Sequence, residues 1–214
     1  MPKKSKKVTK NNKTKIVMVL DRSGSMHSLI SDTVGGFNRF IEDQKNDDSD
    51  ETVVSLIQFN SNVEKTFINK PVSDVPVLDE DNYKTYGSTA LLDALGNAIL
   101  ESKKDLEKDE MVIIVVITDG QENCSREYTN ESIKKLVADC ENNLGWSFIY
   151  LGANVDAFSE AGKMGFSLDT VSGYNTKNMR GAYDTISYNV KQYRNTRNVD
   201  SLSFTDDQRH ELDD

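Results

Sequence analysis

Histidine and cysteine are nearly missing from this 214-residue chain, which holds two of each, along with one tryptophan and three prolines. Two cysteines cannot build a disulfide-stapled scaffold, and Cys124 and Cys140 lack the paired spacing of a thiolate metal site, so they read as two reduced cytosolic thiols. Long apolar runs are also absent. None approaches the roughly 18 residues that a membrane span needs. The stretch Ile16-Val17-Met18-Val19-Leu20 follows a basic start but ends at Asp21, short of the about 7–15 apolar residues of a signal peptide. No G-x-x-x-x-G-K-[ST] phosphate loop occurs.

Acidic residues dominate what is present. The chain carries 26 Lys and Arg against 35 Asp and Glu, a net charge of -9. Residues 1–15 hold seven lysines and no acid, which leaves 19 minus 35, or -16, for the remainder. An acidic body argues against broad nucleic-acid binding, since phosphate neutralisation needs a basic face. Only the basic arm, residues 1–14, could tether nucleic acid, and a run of like charge reads first as a solvated, disordered extension. The expected organisation is this arm, one domain over 15–197, and a flexible acidic tail over 198–214.

Strand-like apolar runs alternate with helix-period segments between these ends, the pattern of a parallel sheet with helices on both faces. The expected strands are 15–21, 52–59, 63–68, 111–118 and 146–151, with 111–118 the most apolar and hence central. Asn60-Ser61-Asn62 suits a hairpin turn, which makes 63–68 an antiparallel edge strand. Helices are expected over 26–45, from Thr89 onward, after an Asn130 cap, near Val155, Phe158 and Ala161, and along the stripe from Met179 to Tyr193. The fold class is therefore α/β, Rossmann-like and doubly wound, mostly parallel with one antiparallel edge strand.

Chemistry gathers at strand ends. Asp21-Arg22-Ser23-Gly24-Ser25 sets one carboxylate and two hydroxyls on a tight turn after the first strand. Thr89 closes Gly87-Ser88-Thr89, and Asp119 follows the central strand in Thr118-Asp119-Gly120. Oxygen-rich sets of this kind suit a small hard dication, which takes about six oxygens and keeps some waters. In an open α/β sheet, ligands collect beyond the carboxyl ends of the strands at the switch point, where Asp21 and Asp119 meet if their strands are neighbours. Glu122, Asp93 and His27 lie close by in sequence and read as solvated or supporting groups, while His210 suggests no role.

D-x-S-x-S (Asp21, Ser23, Ser25), G-S-T ending at Thr89 and T-D-G containing Asp119 occur in order at the ends of the right elements. Over roughly residues 14–195 the chain resembles the von Willebrand factor A domain. The resemblance implies a metal ion-dependent adhesion site with Mg2+ or Mn2+ held directly by Ser23, Ser25 and Thr89, and directly or through water by Asp21 and Asp119. It also implies an open coordination position that accepts an acidic side chain from a protein partner. Leu151-Gly152-Ala153-Asn154 and the stand-alone build are similar to microbial and phage-type cytoplasmic members, including those associated with tellurium resistance. Cytoplasm, or host cytoplasm for a phage protein, is the expected location.

A non-enzymatic binding module follows, because no nucleophile and base pair accompanies these residues. The alternative from another class is a Mg2+-dependent phosphohydrolase or phosphotransferase, since a metal with an open position polarises a phosphoryl oxygen. Position 23, where a carboxylate nucleophile would suit such an enzyme, is serine. Tethering of nucleic acid through the lysine arm is a further alternative.

Overall fold

β1 (Lys13–Asp21) is apolar on both faces, and from Thr14 onward every residue is buried. Alternate side chains enter two separate cores: Ile16, Met18 and Leu20 on one side of the sheet, Val17 and Val19 on the other. The same split runs along β4 (Met111–Thr118), with Ile113, Val115 and Ile117 facing one way and Val112, Ile114 and Val116 the other. Full burial of each such aliphatic side chain contributes about 1.5–3 kcal/mol. This computed structural model describes residues 13–47, 50–153 and 156–214. Most of the basic arm, Asn154 and Val155 lie outside the described residues.

The other strands are β2 (Glu51–Phe59), β3 (Val63–Pro71), β5 (Ser147–Ala153) and β6 (Val171–Tyr174), in the order β3-β2-β1-β4-β5-β6. All neighbouring pairs are parallel except β2 with β3. β4 is interior and β3 is the antiparallel edge, as the apolar pattern predicts. The turn between β2 and β3 is closed by the Asn60 side chain, which accepts from the Asn62 N–H at 2.9 Å. β3 carries Glu64, Lys65, Lys70 and Pro71 and pairs with a shifted register, all features that discourage pairing with another chain.

α1 (Ile30–Lys45) and α5 (Met179–Thr196) cover one face. α2 (Leu91–Lys104), α3 (Asn130–Leu144) and α4 (Ala157–Met164) cover the other. α1 and α5 pack closely because residue 36 is glycine: a Cβ there would sit 2.2 Å from the Tyr183 ring. Their far ends are joined by the buried Arg194 guanidinium, which donates to the Gln44 side chain at 2.8 Å, the Asp47 carbonyl at 2.8 Å and Asp50 at 3.0 Å.

Several boundaries differ from the sequence reading. The first helical segment opens as a 3-10 turn over Gly24–Leu29 and becomes α-helical only at Ile30. α2 begins at Leu91, so Thr89 lies in the loop before the helix. α3 is capped by Thr129 rather than Asn130, because Thr129 and Ser132 satisfy each other's backbone in a capping box. β6 was not expected, since Val-Ser-Gly-Tyr is too short and mixed to read as a strand.

The largest correction concerns residues 198–214, expected as a flexible acidic tail. They form a 3-10 turn over Val199–Leu202 and a helix, α6 (Asp206–Asp213), capped by a Thr205–Gln208 box. Leu202, Phe204 and Leu212 are buried in the core, and Arg209 donates to the carbonyls of Leu168, Asp169 and Val171. Three apolar anchors decide the outcome. The acids that suggested a solvated tail lie partly in the first turn, where Asp206 and Asp207 complement the helix dipole.

Candidate metal centre

The chain enters the sheet at β1, winds to one edge through β2 and β3, and returns to the other side of β1 as β4. The loops leaving β1 and β4 therefore part company at the centre of the sheet, and Asp21 and Asp119 stand on either side of that divide.

Asp21 ends β1 with no exposed surface. One carboxylate oxygen accepts the Ser23 N–H at 2.7 Å and the other accepts the Thr118 hydroxyl at 2.6 Å. Burial pushes this carboxyl up to about 6, against the pull of those hydrogen bonds, and the charge of Asp119 adds to the rise. The Tyr83 hydroxyl donates to the Asp21 carbonyl and fixes the backbone from below. Ser23 has an extended backbone and makes no capping bond, so its hydroxyl is left to the site. The Ser23 and Ser25 hydroxyls are 3.0 Å apart, and Ser25 donates to Asp119 at 2.6 Å. Asp119 is half-buried and its carboxyl is likewise raised, by desolvation first.

Thr89 arrives on a separate loop. Its N–H donates to the Asn123 side chain at 2.9 Å and its carbonyl accepts the Asn123 N–H at 3.1 Å. Gly87, in the left-handed region at φ 77°, offers its carbonyl to the Gly24 N–H at 3.0 Å, tying this loop to the Asp21 turn. The Thr89 hydroxyl then faces Gly120: a Cβ on Gly120 would lie 3.1 Å from it and 3.6 Å from the Ser25 hydroxyl. The absence of a side chain there leaves a cradle open between Thr89, Ser25 and the Asp119 segment.

All five residues singled out in the sequence converge, supplying two carboxylates and three hydroxyls. The donor set fits a hard dication. Among the described residues no cation pairs with Asp21 or Asp119, and the nearby Arg22 is turned to Glu64 at 2.7 Å and lies over the Tyr86 ring. Among those residues, too, no group of three His, Cys, Asp or Glu is placed to hold a metal, so an ion here would rest on hydroxyls as well as carboxylates.

The neighbouring acids have other work. Asp93 accepts the N–H groups of Arg126, Glu127 and Tyr128, and Glu122 accepts those of Leu92, Cys124 and Ser125. Together they shape the irregular segment between β4 and α3 against the start of α2. His27 meets the Thr85 hydroxyl at 3.2 Å. Sequence reasoning missed Tyr83 and Asn123, whose partners are backbone groups of distant loops. Thr118 was visible only as part of T-D-G.

Comparison with known proteins bears on the fold. The family model of the von Willebrand factor type A domain matches residues 16–121. No curated protein matches the sequence. Among solved structures, the proximal thread matrix protein 1 of the mussel byssus superposes with a TM-score of 0.63 at 19% identity, covering 85% of this chain and 46% of that one. A second structure of that protein has a zinc-occupied MIDAS motif (TM-score 0.59, 18% identity, 85% and 46% covered). The vWF domain of the Porphyromonas gingivalis type V pili tip protein Mfa5 gives 0.59 at 12%, covering 84% and 95%. Manganese-loaded Plasmodium vivax TRAP protein gives 0.56 at 14%, covering 81% and 72%. The chain thus spans under half the length of the mussel protein it resembles. The match to the von Willebrand factor type A model is confined to residues 16–121, just under half of the chain, and the likeness to the solved structures shows the same fold over most of it.

Proposed function

We propose that the chain is a non-enzymatic, metal-dependent protein-binding module of the stand-alone microbial or phage type, working in the cytoplasm. Asp21, Ser23, Ser25, Thr89 and Asp119 are its metal residues, Mg2+ or Mn2+ its ion, and a protein with an acidic side chain its partner. The observation that supports this reading most is the convergence of three hydroxyls and two carboxylates, from three separate segments, around the Gly120 cradle. A bound dication would supply an electrophilic position for an incoming carboxylate. The chain's own groups do the rest: Thr118 and the Ser23 N–H orient Asp21, Ser25 orients Asp119, and Asn123 holds Thr89 in place. The zinc and manganese carried by two structural neighbours support a divalent ion. The phosphohydrolase reading gains no observation, since a serine hydroxyl shared with Ser25 occupies position 23.

Thermal unfolding with and without metal tests the site. Mg2+ or Mn2+ should raise the melting temperature by the amount set by RT ln(1 + [L]/Kd), and Asp21→Ala should abolish the rise. An undiminished response in Asp21→Ala and in Asp119→Ala would sink the assignment. Pull-down from native cytoplasm should yield a partner that EDTA releases; capture that survives EDTA would instead favour the lysine arm or an apolar face.

A further inference from the structure

The opposite end of the sheet holds a second feature, unrelated to the metal residues. Trp146 leads into β5, and Ser147 opens it and pairs with Ile113 near the amino-terminal end of β4, the whole length of the sheet away from Asp21. A cavity of about 390 Å³ lies there, within the size range of small-molecule sites. Trp146, Phe148 and Tyr193 are among the residues that line it, as are the acids Glu141, Asp169 and Asp200. Among the described residues no lysine, arginine or histidine lines it. The guanidinium of Arg209, which reaches the Asp169 carbonyl, is committed to the Val171, Leu168 and Asp169 carbonyls and to Asp206.

Among the described residues, two buried polar atoms of residues that line the cavity lack partners: the Trp146 indole Nε1 and the Ser147 hydroxyl. Trp146 is 3% and Ser147 4% exposed. Buried donors and acceptors are nearly always satisfied, so orphans beside a cavity point to a group that completes them. The indole N–H needs an acceptor, while the hydroxyl and the three acids suit a donor of positive charge. Burial raises the Glu141 carboxyl, as expected for an acid left without a cation.

We propose that this cavity binds a basic amino-acid group, an arginine or lysine side chain together with its carbonyl oxygen. The cation meets Glu141, Asp169 and Asp200, and the carbonyl answers the Trp146 N–H. Free amino acid and peptide share this chemistry.

Trp146 is the only tryptophan in the chain, so intrinsic fluorescence reads the cavity directly. At low salt, N-acetyl-L-arginine methylamide should produce a saturable change, and the neutral isostere N-acetyl-L-citrulline methylamide should produce none. Free L-arginine binding more tightly than the capped form assigns a metabolite; the reverse order assigns a protein segment. Asp169 and Asp200 are exposed, so Asp169→Asn with Asp200→Asn should leave the melting temperature near that of the parent chain. The pair should weaken binding about tenfold or more, the loss expected when charge-assisted contacts are removed. EDTA and Asp21→Ala should leave the response intact, which separates this site from the metal centre. A response absent for both arginine compounds, equal for the citrulline analogue, or unchanged in the double variant would overturn the proposal.

Discussion

Thr89 makes a demand on its hydroxyl and almost none on its fold. Its backbone is held from both sides by Asn123, and the helix that follows starts two residues later. Thr89→Ala should therefore lose the metal-induced rise in melting temperature. Its metal-free value should fall by no more than a few degrees, since about 1 kcal/mol shifts a domain of this size by about 2–4 °C. A collapse of the metal-free fold would show that Thr89 is structural instead. The two thiols differ in a similar way. Cys140 is fully buried on α3 and burial pushes it up to about 11, whereas Cys124 is only half-buried. A thiol reagent near neutral pH should label Cys124 in the native chain and reach Cys140 only on unfolding. Because the folded thiol holds its proton beyond the value of about 9 in the unfolded chain, the unfolded state loses it first. Stability should then decline as pH climbs from about 9 to 11, and Cys140→Ala should lack that share of the decline. The five residues proposed to hold the metal were legible because each sits in a short motif at the end of an apolar run. Tyr83 and Asn123 were not, because what they hold is a loop's backbone, whose position no local pattern encodes.

At the scale of elements, the contact between α1 and α5 depends on a missing side chain. Gly36→Ala places a methyl group inside van der Waals reach of the Tyr183 ring. Overpacking of this kind costs about 1–3 kcal/mol, more than the helix propensity that alanine returns. Urea unfolding should show a lower midpoint with an unchanged slope; a midpoint at or above that of the parent chain would mean the helices slide apart freely. Period and apolarity told where α1, α3 and α5 run, since each buries a regular stripe. They told less about where helices start. Thr129 and Asn130 are both good caps, and only the serine three residues after Thr129 decides between them. β6 escaped notice because four residues are too few to display a period. α6 escaped because its single buried residue, Leu212, is surrounded by charge.

For the whole molecule, the alternation of strand and helix was enough to predict a doubly wound sheet, but not how its last edge is finished. Arg209 donates to the β6 carbonyl of Val171, and the Leu212 carbonyl accepts the Asn175 N–H just beyond β6. Leu212→Ala should cost about 2–5 kcal/mol in equilibrium unfolding. Removing residues 205–214 should leave β6 open and give a protein that self-associates on light scattering; a truncated chain that stays monodisperse would show that α6 does not guard the edge. The order of strands also has a bearing on synthesis. β1 lies at the centre of the sheet yet is made before any other strand, and Thr14 must wait 97 residues for its partner Met111. At about 5–20 residues per second, the β1 edge that β4 will cover stays unpaired for roughly 5–20 seconds after it leaves the ribosome. Slow codons before β4 or a shortage of chaperones should thus reduce the yield of folded protein more than comparable delays after β5, when the central strand has been sealed.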